Sequence, residues 1–236
     1  MIFLINLLFA AELEARSLDG IDPVLVNELM TLEPVTTRAG YPRFVDGALD
    51  HDQAAQVLAV RLHAAEDEVP VRAALAAHLA HSADTELLLD LLEVEQDPDV
   101  GMHLLPGLKD APSEVALPVL TEALGHEAPG MRAEAARVLS LRTDGGEAAE
   151  ALIVVLEDDV PEVRAFAARA LGYHHVDDAF VPVQALLNDE DDKVRLQAVR
   201  ALGRIDAERA ASAVAPLVDD PDPVVARKAA SLASGL

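Results

Sequence analysis

The segment DDVPEVRAFAARALG, residues 158–172, returns as DEDDKVRLQAVRALG at residues 189–203. Val163, Arg164, Ala167, Arg169, Ala170, Leu171 and Gly172 reappear as Val194, Arg195, Ala198, Arg200, Ala201, Leu202 and Gly203. With Val163 as the marker, equivalent positions along the chain are Val71, Val100, Met131, Val163, Val194 and Val225. A period of about 31 residues means stacked supersecondary units, in which no copy buries its apolar face alone and each neighbour supplies the missing surface.

Each copy opens with acidic residues and often a proline, as in QDPD at Gln96, DDVPE at Asp158, NDEDD at Asn188 and DDPDP at Asp219. Asp satisfies the free amides of a helix start and Pro fits its first turn, so these are helix N-terminus signals. Apolar residues then recur at the spacing of one buried helix face, as in Val163, Ala167, Ala170 and Leu171. Gly172 and Gly203 are expected to end these helices in a left-handed cap. A second amphipathic segment follows each time, for example GEAAEALIVVLED and DDAFVPVQALLND, so the unit is a pair of helices. Two copies depart from the pattern. Gly101 stands at the Arg position, and Pro106 and Gly107 fall inside the expected helix. An interior Pro costs about 3 kcal/mol, so a broken or shortened helix is expected there. In the last copy Ala226 takes the Arg position with Arg227 beside it, as suits a terminal repeat.

Composition agrees with helices packed at close range. Half the residues are apolar, aromatics make up 3%, and Ala and Leu carry the apolar fraction. The 18 Lys and Arg against 42 Asp and Glu give a net charge of −24. Such a chain repels phosphate backbones, which argues against nucleic acid and anionic membrane as partners. The absence of Cys excludes disulfides and thiolate chemistry.

The pattern D-x-x-P-x-V-R-x-x-A-A-x-A-L-G, followed by an acidic, Leu-rich second helix, resembles the HEAT-like repeats first associated with phycobilin lyases. The resemblance runs from about Asp50 to Leu236. It implies an all-α, right-handed α-solenoid of about five to six two-helix repeats over 50–236, with 1–49 as an N-terminal helical cap and irregular connection. Within that cap, 2–16 and 23–32 read as helices and 35–49 as the connection, which packs on the solenoid end or contacts a partner. The opening MIFLINLLFAA is too short to span a bilayer as a helix. No Lys or Arg precedes it and bulky Phe9 disfavours cleavage after Ala11, so a cytoplasmic location is expected, with export the alternative if 1–11 is a signal segment.

Two rows of Arg mark candidate sites. Arg132, Arg164 and Arg195 occupy one position of successive helices; Arg137, Arg169 and Arg200 occupy another. Five residues turn through about 140 degrees on a helix, so the rows border an exposed face. Arg132, Arg164 and Arg195 are expected to pair with turn carboxylates such as Asp158 and Asp189, forming an inter-repeat ladder. Arg137, Arg169 and Arg200, with Ala165, Ala168, Leu196 and Val199 between the rows, are the candidate partner-binding residues. They would form a groove with a small apolar floor and Arg edges, suited to an acidic or helical peptide. In related solenoids the second helix of each unit lines the concave surface, and the groove is expected on a concave face with an acidic rim.

The acidic clusters at Glu66 to Glu68, Asp97 and Asp99, Asp158 and Asp159, Asp189 to Asp192, and Asp219 to Asp222 are expected to align as a ridge serving capping and solubility, or receiving a basic segment. NDEDDK lacks the Gly and terminal Glu of a helix-loop-helix calcium site. His78 and His81 lie one helical turn apart without a completing ligand set, and His174 and His175 read as part of an exposed inter-repeat loop with Tyr173, Asp177 and Asp178. The remaining histidines, His51, His63, His103 and His126, are scattered. No nucleophile elbow, phosphate loop or triad spacing is present, so no catalytic residue, metal or cofactor is expected. The expected function is a non-catalytic protein-protein interaction scaffold or adaptor, with another protein or peptide as partner. The resemblance implies a chromophore lyase or maturation factor as the alternative. It also extends to HEAT-like alkylpurine glycosylases, but those need a basic, aromatic-lined groove, and this chain has no Trp.

Overall fold

The computed structural model describes residues 69–235 together with Ala55, Leu58, Ala59 and Leu62, and not the side chains of Val71 and Ser82. The expectations for 1–49, for His51 and His63, and for Glu66 to Glu68 lie outside the described residues. Every regular element among the described residues is helical, and none is long and apolar enough to cross a membrane. The chain divides into two compact units, the first ending at Ala111 and the second starting at Pro112.

The first unit holds α1 (Val69–Ser82), α2 (Thr85–Val94) and α3 (Pro98–Gly101), then a 3-10 helix, Leu105–Asp110. Leu75, Ala76 and Leu79 of α1 and Leu88 and Leu91 of α2 close a core with Ala55, Leu58, Ala59 and Leu62. Asp84 caps α2 by accepting from the Leu87 amide, and Asp97 caps α3 through the Asp99 amide. The helix that Pro106 and Gly107 interrupt is reduced to one short turn of α3 and the 3-10 segment. Gly107 is needed for close approach: a Cβ there would lie 2.5 Å from Leu88 Cδ1 and 2.8 Å from the Ala80 carbonyl oxygen.

The second unit alternates long and short helices. The long ones are α5 (Pro129–Leu139), α7 (Pro161–Tyr173), α9 (Asp192–Ile205) and α11 (Pro223–Ala233), each packed on the next. α4 (Ser113–Leu124) precedes them, and between them lie the short α6 (Ala149–Val154), α8 (Phe180–Ala185) and α10 (Ala207–Ala213). The last three run on into 3-10 segments, Val155–Glu157, Leu186–Asn188 and Ala215–Asp219. The apolar face read from the sequence is the buried one, with Val163, Ala167, Ala170 and Leu171 of α7 and Val194, Ala198, Ala201 and Leu202 of α9 all fully buried. Pro opens α5, α7 and α11. Asp191, Asp206 and Asp222 cap α9, α10 and α11, whereas α5 and α7 start from Ala128 and Val160 without a side-chain cap.

Gly172 and Gly203 do not cap their helices. Both lie inside α7 and α9, and the only described Gly with positive φ is Gly235. A Cβ on Gly172 would fall 2.5 Å from the Ala201 Cα, so this Gly lets α7 and α9 touch backbone to backbone. The left-handed residue that ends α7 is His175, at φ 51°. The Val176 amide donates to Leu171 O and the His175 amide to Gly172 O, which is the Schellman pattern. His175 is kept in this unfavourable region by its ring: Nδ1 lies 2.6 Å from the Arg204 carbonyl oxygen. The His174 Nε2 is 2.9 Å from Leu139 O. The two adjacent histidines thus tie the end of α7 backward to α5 and forward to α9, a role that an exposed-loop reading did not contain.

Candidate functional site: two arginine rows with different surroundings

The first Arg row is consumed by the stack. Arg132 Nε donates to Asp158 Oδ2 at 2.6 Å, Arg164 Nε to Asp189 Oδ2 at 2.7 Å and Arg195 Nε to Asp220 Oδ2 at 2.8 Å. The second fork of each guanidinium meets the other carboxylate oxygen, so all three pairs are bidentate. The Nη1 of each Arg turns back to the carbonyls of its own turn, to His126 and Glu127, Asp158 and Asp159, and Asp189 and Glu190. The Asp also accepts the amide two residues on, at Val160, Asp191 and Asp222. One carboxylate therefore holds the preceding repeat and shapes its own turn. In the first unit Arg72 and Glu95 form the same kind of rung, with Nη2 to Oε2 at 2.6 Å and Oε1 accepting the Asp97 amide.

A second buried pair lies off the ladder. Arg142 is bidentate to Asp144 at 2.7 and 2.6 Å, and the Ser113 hydroxyl donates to the same carboxylate, joining the start of α4 to the loop after α5. The Arg142 and Ser113 hydrogen bonds hold the Asp144 carboxyl at about 2, against the pull of burial. Burial pushes Asp158 and Asp189 upward, but the guanidinium and amide hydrogen bonds outweigh it and both end below the ordinary carboxylate range. At Asp220 the Arg195 hydrogen bond is the largest influence, and it too is lowered. A carboxyl depressed in the folded state stabilises fully above its unfolded value of about 3.9 and loses that contribution as pH falls through the folded value. Urea unfolding followed at successive pH values is expected to show stability falling from below about pH 4 toward 2. In Asp144→Asn the fall should be shallower; parallel curves would mean that this carboxyl does not contribute.

The second row has different surroundings. Arg137 is held within its own helix by Glu134, at 2.5 and 2.8 Å. The Arg169 guanidinium lies 5.4 Å from the Tyr173 ring centroid, one turn along α7, and Arg204 of α9 lies 4.2 Å from the same centroid. Arg200 makes no ion pair with a described residue, and neither do Arg169 and Arg204. Tyr173 is 44% exposed. The apolar floor expected between the rows is only half present. Ala165 and Leu196 are partly exposed, but Ala168 and Val199 are fully buried and form no part of a floor. The reason is helix packing: Ala168 lies one turn before Gly172, which meets Ala201 of α9, and Val199 one turn before Gly203, which meets Leu232 of α11, so the side carrying each residue is a packing interface. The exposed surface lies further along the helices, where equivalent positions carry Leu141, Tyr173 and Arg204.

The acidic turns are mostly occupied: Asp158, Asp189 and Asp220 by the ladder, Asp191 and Asp222 by capping. Among the described residues no group of three or more His, Asp and Glu is placed to hold a metal ion.

Helix pairs stacked in register, with an Arg–carboxylate rung at each of the three junctions from Arg132 to Asp220, define a helical-repeat protein, built by adding like units. Residues 85–160 and 149–233 match the family model for HEAT repeats, and the chain belongs to the HEAT-repeat family. A comparison with curated proteins gives no match. Among solved structures, an engineered protein from a structural genomics consortium superposes with a TM-score of 0.52 at 19% identity, covering 89% of this chain and 67% of that one. A second engineered protein gives 0.50 at 21% identity, covering 77% and 97%. A designed armadillo repeat protein gives 0.51 at 17% identity, covering 76% and 98%. At these identities the likeness concerns the fold alone.

Proposed function

We propose that this protein is a non-catalytic interaction module, a scaffold or adaptor, whose partner-binding surface is the face of α5, α7 and α9 carrying Arg137, Arg169, Arg200 and Arg204 around Tyr173. The observation that carries the reading is the contrast between the two Arg rows. In a chain with 42 Asp and Glu, every guanidinium of the first row is taken by a neighbouring repeat, while Arg169, Arg200 and Arg204 stay without a described carboxylate and two of them, Arg169 and Arg204, lie at an exposed aromatic ring. Arg and Tyr at the centre of a surface are the residue types on which association energy concentrates. Membership of the HEAT-repeat family supports the reading, since such repeats typically mediate protein interactions.

The test is a pull-down from lysate of the native host with wild type and an Arg137→Glu, Arg169→Glu, Arg200→Glu triple variant, its folding checked by circular dichroism. A protein retained by wild type and lost by the folded variant is the expected result. Equal retention by both would move the contact to another face, and no retention by either would count against a scaffold.

A further inference from the structure

We infer that Arg169, Tyr173, Arg200 and Arg204 form an acceptor for a short acidic peptide segment of a partner protein, its carboxylates gripped by the guanidinium forks and its flank laid on the Tyr173 ring. This rests on the interaction reading above and narrows it to one partner chemistry. Three features carry it. The first is geometric: Arg169 from α7 and Arg204 from α9 converge on one ring, and Arg200 stands one turn from Arg204 on the same helix. Stacking on a ring face orients a guanidinium yet leaves its in-plane donors open, and those donors match a carboxylate bidentately.

The second is chemical contrast within the molecule. The Arg132, Arg164 and Arg195 rungs show what this chain does with a guanidinium it means to neutralise: two forks on one carboxylate and Nη1 on backbone carbonyls. None of that surrounds Arg169, Arg200 or Arg204 among the described residues. The third is field. The acidic turns open α7, α9 and α11, whereas Tyr173 and Arg204 sit at the other end of their helices, where the carboxylates of Asp177 and Asp206 are paired with Arg209. A long polyanion following the stack would meet carboxylates on a chain of net charge −24, but a segment with a few Asp or Glu is received by the cluster alone.

The experiment is fluorescence anisotropy of the full chain with two labelled peptides of equal length, one alternating Glu and Leu and the other Gln and Leu, beside a labelled oligothymidine. The Glu peptide is expected to bind, and to bind more weakly as salt is raised. Arg200→Gln should weaken it about tenfold, the size of one charge-assisted hydrogen bond. Arg200 touches no described carboxylate, so this variant keeps its fold; the Arg169→Gln, Arg200→Gln, Arg204→Gln variant should abolish binding. Tyr173→Phe should bind as wild type and Tyr173→Ala more weakly. The proposal is overturned if the Glu peptide does not bind, if the Gln peptide or the oligothymidine binds as well, or if the Arg variants bind unchanged. Its failure separates from failure of the interaction reading. A partner captured through this face whose cross-linked segment is not acidic would sink the acidic acceptor and leave the scaffold standing.

Discussion

Arg164→Ala is expected to lower the unfolding free energy by about 3 kcal/mol, because it removes one half of a largely buried ion pair and leaves the other half in place. The Arg164 side chain is 11% exposed and that of Asp189 7%, so water cannot re-solvate the abandoned carboxylate without opening the junction. Asp189 would keep only the Asp191 amide, and the carbonyls of Asp158 and Asp159 would lose their shared donor. A loss of that size corresponds to a fall in melting temperature of about 10 °C for a chain of this length. Arg169→Ala serves as the comparison, since its guanidinium holds no carboxylate and should cost less than about 1 kcal/mol. Thermal melts of the two variants in one buffer decide the matter; equal midpoints would mean that the rungs contribute no more than a surface charge.

Gly172→Val is also expected to be damaging, for a steric reason. The first carbon of any side chain at this position would lie 2.5 Å from the Ala201 Cα and 2.7 Å from its Cβ, so backbone, not a flexible side chain, must move. Overpacking of this kind costs about 1 to 3 kcal/mol, and Val adds branched bulk that the α7 and α9 interface has no room for. Gly203→Val meets the end of the Leu232 side chain at 3.0 Å, which can rotate away, so the same substitution one repeat later should be milder. Gly125→Ala has only the Glu122 carbonyl oxygen nearby, at 3.5 Å, and φ −94°, so it should be neutral or slightly stabilising. Denaturant midpoints falling in the order Gly172, Gly203, Gly125 from most to least affected would match the packing. A tolerated Gly172→Val would show that the two helices are not locked at that distance.

The repeat period made the helices, the buried face and the Arg positions legible, because these recur and each copy corroborates the next. Where the structure departs from the sequence reading, the cause is tertiary and has no periodic signature. Ala168 and Val199 are small apolar residues at helix positions that suit either a solvent-facing floor or a packed interface; only the approach of α7 to α9, and of α9 to α11, decides it. A Gly near a helix end suits a cap as well as a close contact, and the left-handed residue turned out to be His175, held by a carbonyl in the next repeat. Glu95 stands five residues before Val100, the position that Asp158, Asp189 and Asp220 hold before their own markers, but as a Glu among Asp it escaped notice as a rung. Arg204 escaped because it breaks the repeat: its equivalents are Leu141 and Tyr173, and the candidate site joins two such mismatched positions to the recurring Arg169 and Arg200.

The rungs of the ladder point one way. Each Arg reaches forward to the carboxylate of the following copy, and the last copy, with Ala226 at the Arg position, accepts through Asp220 and offers nothing onward. A copy inserted between Arg164 and Asp189, or one deleted, would bring an acceptor at its start and a donor in its first helix, leaving no charge stranded at either new junction. From Arg132 onward the array can change length by whole repeats while each joint keeps its pair, and a chain with such joints can be lengthened by duplication without a period of instability in between.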